Sequence, residues 1–90
     1  MSEVRNNTTL NRFELDVDGG MAVADYDAAP GRITITYAEV PAELRGRGIG
    51  STLVRGALEL ARAQGFKVAS RCPFVSAYLG KHPEFNDLLA

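Results

Sequence analysis

Tryptophan is absent from this 90-residue chain, and cysteine and histidine occur once each, as Cys72 and His82. A single cysteine excludes an intrachain disulfide framework and any all-cysteine metal site. One Cys and one His are too few for a zinc centre, so no metal is expected. No apolar run approaches the roughly 20 residues of a membrane helix. The N-terminus has no apolar signal-peptide core. A cytoplasmic location, away from membranes, is the expectation.

Charge of either sign is modest, and the net value is −1. It is unevenly placed. Residues 1–30 hold Glu3, Glu14, Asp16, Asp18, Asp25 and Asp27 against Arg5 and Arg12, whereas residues 31–90 hold a surplus of Lys and Arg. The positive part suits a small polyanion; a nucleic-acid partner calls for a denser basic stripe and is not expected. The hydrophobic share, 46%, excludes whole-chain disorder. Ninety residues make one domain with a thin core.

Residues 1–9 are polar and read as a flexible lead-in, with the domain proper at 10–90. Phe13, Leu15 and Val17 alternate with Arg12, Glu14 and Asp16, the period of a half-buried strand. Asp18-Gly19-Gly20 is a hairpin turn signal, and Met21 to Tyr26 reads as the returning strand. Residues 27–31 read as a second turn. Ile33 to Tyr37 is β-branched and aromatic, a third strand. Leu53, Val54, Ala57, Leu58 and Ala61 recur at helical spacing, and Gly65 is placed to end that helix. Phe66 to Ser70 is a short strand, and Pro73 opens a second helix to about Leu79. His82-Pro83-Glu84 reads as a turn, with Leu88 and Leu89 docking back. The order is β-β-β-α-β-α. An antiparallel meander followed by a right-handed crossover lays the last strand parallel to the third. Ligands of such sheets sit at the carboxyl ends of the parallel strands.

The segment Glu43-Leu44-Arg45-Gly46-Arg47-Gly48-Ile49-Gly50 stands at that end, between the third strand and the long helix. Glycines let backbone approach a ligand closely. The first turn of a helix has N–H groups without intrahelical partners, and its dipole favours an anion. Arg45 and Arg47 add forked cationic donors. Phosphate or pyrophosphate is the expected guest; the plainer alternative is a glycine loop that serves sterics alone. Two nucleotide motifs fail here. The Walker pattern needs a lysine that Gly50-Ser51-Thr52 lacks, and the dinucleotide fingerprint needs a glycine at Ser51.

Arg45-x-x-Gly48-x-Gly50 resembles the acyl-CoA signature of the GNAT N-acetyltransferases, Gln/Arg-x-x-Gly-x-Gly/Ala, in its usual place between a strand and a long helix. The chain looks most like the small, single-domain GNAT-like proteins of the YjdJ type. Three motifs in order carry that resemblance: Thr36-Tyr37-Ala38-Glu39-Val40-Pro41 running into Leu44-Arg45-Gly46-Arg47-Gly48-Ile49-Gly50, then Cys72-Pro73-Phe74-Val75, then His82-Pro83-Glu84-Phe85. It covers residues 10–90.

The resemblance implies an α+β, α/β-like fold, the reduced GNAT core, with acetyl-CoA as cosubstrate and an amine on a protein or small molecule as acceptor. It implies that the backbone of Arg47 to Ser51 holds the pyrophosphate. The cofactor-binding set is then Val40, Arg45, Gly46, Arg47, Gly48, Ile49, Gly50 and Ser51. Pantetheine would lie between the last two strands, and the acetyl carbonyl would meet N–H groups near Ala38 to Val40, donors suited to a developing oxyanion. A monomer is expected.

Three residues are candidates for catalysis. Cys72 follows the last strand, beside Arg71 and a helix start, surroundings in which a thiol can act as nucleophile and relay an acetyl group; the alternative is a small buried hydrophobe. Tyr37 departs from the group, whose members often carry a histidine there, and a phenol is a poor base at neutral pH. Glu39 is then the candidate base, or a solvated strand-end carboxylate. Tyr78 is the candidate acid for the leaving thiolate, or a packing residue. Larger GNATs build their acceptor side with N-terminal helices that have no counterpart here. A non-catalytic CoA-binding or sensing module is therefore the alternative function. An interaction domain with a purely structural glycine turn ranks third.

Overall fold

The computed structural model describes residues 3–90. Five strands form one sheet: β1 (Arg5–Asn7), β2 (Arg12–Val17), β3 (Gly20–Ala29), β4 (Arg32–Glu39) and β5 (Lys67–Ser70). They lie in chain order across the sheet. The first four are antiparallel and β5 is parallel to β4, as the crossover rule requires. Helix α1 (Ile49–Ala63) makes that crossover, and α2 (Pro73–Lys81) follows β5.

The sheet buries one face. Phe13 and Leu15 of β2, Ala22, Ala24 and Tyr26 of β3, and Ile33 and Ile35 of β4 form a core with α1. The residues of α1 that are buried are Leu53, Val54, Ala57, Leu58 and Ala61, the stripe expected from spacing. Burying a Leu or Val of this size contributes about 1.5–3 kcal/mol. At the end of α1, Gly65 takes φ 80°, the Phe66 N–H bonds the Ala61 carbonyl at 2.9 Å and the Gly65 N–H bonds that of Arg62 at 3.2 Å. That paired closure satisfies two orphan carbonyls and needs a residue tolerant of positive φ.

Three expectations need correction. Residues 5–7 are a strand, not lead-in. Asn6 pairs with Phe13, accepts a 2.7 Å hydrogen bond from the Tyr26 hydroxyl, and Val4 packs on α1 at Gly56. Side-chain partners hold this strand, so its own polar pattern did not reveal it; Met1 and Ser2 lie outside the described residues. Residues 27–29 continue β3, because Ala29 still pairs with Arg32, and the turn shrinks to Pro30-Gly31. At the C-terminus Leu88 is buried, but the Leu89 side chain is 44% exposed and only its backbone bridges to Val68.

Candidate functional site

A break in register between β3 and β4 sets the site. Tyr26 pairs with Ile35, yet Asp25 pairs with Tyr37, so Thr36 is one extra residue on β4. Its hydroxyl donates to the Asp25 carbonyl at 3.3 Å. A one-residue insertion reverses which face each later side chain takes. Ile33 and Ile35 point to the core, and without the bulge Tyr37 would follow them. Instead Ala38 packs inward opposite Ala24, while Tyr37 and Glu39 stand on the other face, opposite Asp25 and Val23.

β5 pairs only with the first half of β4, from Arg32 to Ile35. The Arg71 N–H makes the last bond, 2.8 Å to the Ile35 carbonyl, and the chain then turns into α2. Beyond it β4 runs on without a strand on that side. The gap is a cavity of about 480 Å³. Its walls are the strand end Tyr37–Val40, the turn residues Leu44, Arg45 and Gly46, the helix start Gly48–Ser51, and Phe74 of α2.

The glycine turn builds one wall. A 3-10 turn, Ala42–Leu44, carries the chain from Pro41 and buries Leu44. Gly46 and Gly48 then take φ 85° and 75°, the left-handed region that side chains disfavour. Gly48 is the N-cap of α1, and no side chain caps the helix. The first intrahelical donor is the Thr52 N–H, on the Gly48 carbonyl at 3.0 Å. The N–H groups of Ile49, Gly50 and Ser51 thus have no intrahelical acceptor, and these residues line the cavity. An uncapped helix start at a cavity wall favours an anion.

Val40, Arg45, Gly46, Gly48, Ile49, Gly50 and Ser51 are therefore brought together, with Glu39 beside them. Arg45 also braces the turn: its Nε donates to the Val40 carbonyl at 3.3 Å. Arg47 is exposed but is not among the lining residues.

Cys72 and Tyr78 do not join this set. Cys72 is the N-cap of α2, but its thiol is in the hydrophobic core, 6% exposed. Tyr78 is 7% exposed and stacks on His82 with ring centroids 4.0 Å apart. The reason is position along α2, since residues four apart share a face but stand a turn apart on the axis. Phe74 is the residue of α2 that faces the cavity, and Tyr78 lies one turn further along, against Phe85. His82 approaches Glu84 at 3.2 Å, and Glu84 pairs with Arg55 at 3.0 Å, so that motif ties the C-terminal segment to α1.

Sequence reasoning missed Phe74. It stands inside the quoted Cys72-Pro73-Phe74-Val75 motif and is 47% exposed, unusual for a phenylalanine. An aromatic just after a helix-opening proline was the available signal. Tyr37, which stands out in the sequence only as a departure from the related proteins, lines the cavity and is 50% exposed.

Known proteins agree with this architecture. The profile of the GCN5-related N-acetyltransferases matches residues 12–88. The chain therefore belongs to the GCN5-related N-acetyltransferase family. A solution structure of a GCN5-like protein from Staphylococcus aureus, itself proposed to be an N-acetyltransferase, superposes with a TM-score of 0.74 at 26% identity, covering 98% of this chain and 87% of that one. No curated protein sequence matches the chain.

Proposed function

We propose that this family member binds acetyl-CoA in the cavity between β4 and α1 and transfers the acetyl group to an amine. The observation that carries the reading is convergence. The uncapped N–H groups of Ile49–Ser51, the open edge of β4 and the aromatic ring of Phe74 all meet at one 480 Å³ cavity. The helix start takes the pyrophosphate. The edge of β4 beyond Ser70 takes the pantetheine amides, in place of the missing strand. N–H groups at Ala38 to Val40 take the thioester oxygen as it becomes negative.

The amine attacks the thioester carbon, the carbon–sulfur bond breaks, and the amine proton leaves to Glu39 or to water beside it. CoA departs as thiolate and is protonated from solvent. Direct attack is favoured over a relay through Cys72, because a thiol in the core has no line to the carbonyl. Tyr78 is held against His82 and is not the acid in this scheme.

Titration with acetyl-CoA, followed by amide chemical shifts, tests the binding step. Shifts centred on Ile49 to Ser51 are expected, and silence there at millimolar ligand overturns the reading. Release of free CoA with an amine panel tests transfer. Binding without release favours a CoA sensor instead.

A further inference from the structure

One face of the sheet has no cover among the described residues. Cross-strand partners share a face, so the face opposite the core is readable from register. It carries Arg5 and Asn7 of β1, Arg12, Glu14 and Asp16 of β2, Met21, Val23, Asp25 and Asp27 of β3, and Tyr37 and Glu39 of β4. Every one of these except Glu14 keeps solvent exposure. The cavity described above opens beside this face at Tyr37 and Glu39.

Its centre and its rim differ. Met21, Val23 and Tyr37 are contiguous and apolar, with Tyr37 half exposed. The cations of the rim are already used: Arg5 bonds Glu14 at 2.9 Å and Asp16 at 2.7 Å, and Arg12 bonds Glu14 at 2.5 Å. Asp25 and Glu39, on either side of Tyr37, form no ion pair among the described residues, nor does Asp27. The remaining cations in register on this face, Arg32 and its β5 partner Lys67, stand at the far end of β4, and the Lys67 ammonium donates to the Asp87 carbonyl.

We infer that the acceptor is a lysine side chain on a basic, extended protein segment docked across this open face, its ammonium led to the cavity past Tyr37 between Asp25 and Glu39. The inference rests on the acetyl-transfer reading. Two unpaired carboxylates and an aromatic face are the chemistry that attracts an ammonium ion. An apolar centre inside a charged rim is the anatomy of a protein contact. A small polyamine is disfavoured, because none of the described cavities lies on this flat face beyond the cleft itself, and small ligands need concavity.

The test uses a short lysine-rich peptide, a charge-reversed peptide of equal length and spermidine, each added without CoA at physiological ionic strength. The basic peptide should shift the amides of Met21, Val23, Asp25 and Tyr37, and the charge-reversed peptide should not. Asp25→Lys should weaken the basic peptide about tenfold and leave acetyl-CoA affinity unchanged; Asp25→Asn should weaken it about twofold. Equal binding of both peptides overturns the inference. So does spermidine binding as tightly as the peptide, or a self-association that shifts the same amides without any peptide. Intact acetyl-CoA binding with no peptide shifts overturns the docking inference alone. Peptide shifts without any acetyl-CoA affinity overturn the transfer reading and the acceptor role with it.

Discussion

A Cβ placed on Gly50 would stand 2.9 Å from Cζ of Phe74. The two residues close the cavity from opposite helices, α1 and α2, with Val40 behind them at 3.6 Å. Gly50 is thus a site of close approach within a helix, where glycine otherwise has a conformational cost of about 1 kcal/mol. Phe74 is exposed enough to swing aside. We expect Gly50→Ala to leave the melting temperature within a few degrees of the parent, since helix propensity offsets the displaced ring. Acetyl-CoA affinity should fall about tenfold, or about 1.4 kcal/mol, as the ring enters the cavity. Calorimetric titration beside a thermal melt checks both.

Gly56 makes the opposite case. A Cβ there would overlap Cγ2 of Val4 and stand 2.7 Å from its Cβ. Gly56→Ala should push the N-terminal segment off α1 and expose β1 amides to hydrogen exchange. Acetyl-CoA affinity should be unchanged, because this contact is remote from the residues that line the cavity. Exchange rates of Arg5 to Asn7 read the effect.

Gly48 holds φ 75° at the start of α1. A side chain in that region costs about 1–2 kcal/mol. Gly48→Ala should lower unfolding free energy by about that amount and weaken acetyl-CoA as well. Denaturant titration and ligand titration on the same sample separate the two losses. Lost stability with no ligand affinity to lose, in parent and variant alike, would point to a purely structural turn.

Cys72 is buried in the core cluster that also holds Val75 and Tyr78. Cys72→Ser puts an extra hydroxyl demand there and should cost about 1–3 kcal/mol. The transfer rate per folded molecule should not change if the amine attacks directly. A rate that collapses in a folded Cys72→Ser protein would restore the covalent relay.

Glu14 is buried at 3% exposure on the open face of the sheet. Hydrogen bonds from Arg12 and then Asn7 hold its carboxyl below the usual range, aided by the charge of Arg5. A depressed folded value means stabilisation that is complete above the unfolded value, about 4.3, and is lost as pH falls through the folded one. Stability should therefore decline below about pH 4. Asp16 and Asp87 are lowered the same way by hydrogen bonds from Arg5 and Arg62, and Glu84 by a backbone hydrogen bond and then by Arg55, and all three add to the slope. Glu14→Gln should be less stable at pH 7 and decline less steeply in acid. Urea titrations across that window give the comparison.

Much of the fold is legible because its causes are local. Helix α1 follows from a 3.6-residue stripe, and its end from Gly65. β2 follows from strict alternation, and the glycine turn from alternate glycines, two of which do take positive φ. The family was legible too, since three motifs stand in order. Length was misjudged at β3, where the polar and small residues Asp27, Ala28 and Ala29 resemble a turn but are paired by β4.

What the amino-acid sequence determined by itself was therefore β2 to β5, the two α-helices, the crossover and the residues of the glycine turn, but not β1. Tertiary structure alone decided which side chains meet at the cavity. One unpaired residue, Thr36, turns Tyr37 and Glu39 to the open face, and no local period announces it. Position along α2 brings Phe74 to the cavity and sets Tyr78, one turn on, against His82, while the core takes the Cys72 thiol. The physical reason is that periodicity fixes which residues share a face, whereas register and packing between distant segments fix what that face looks upon.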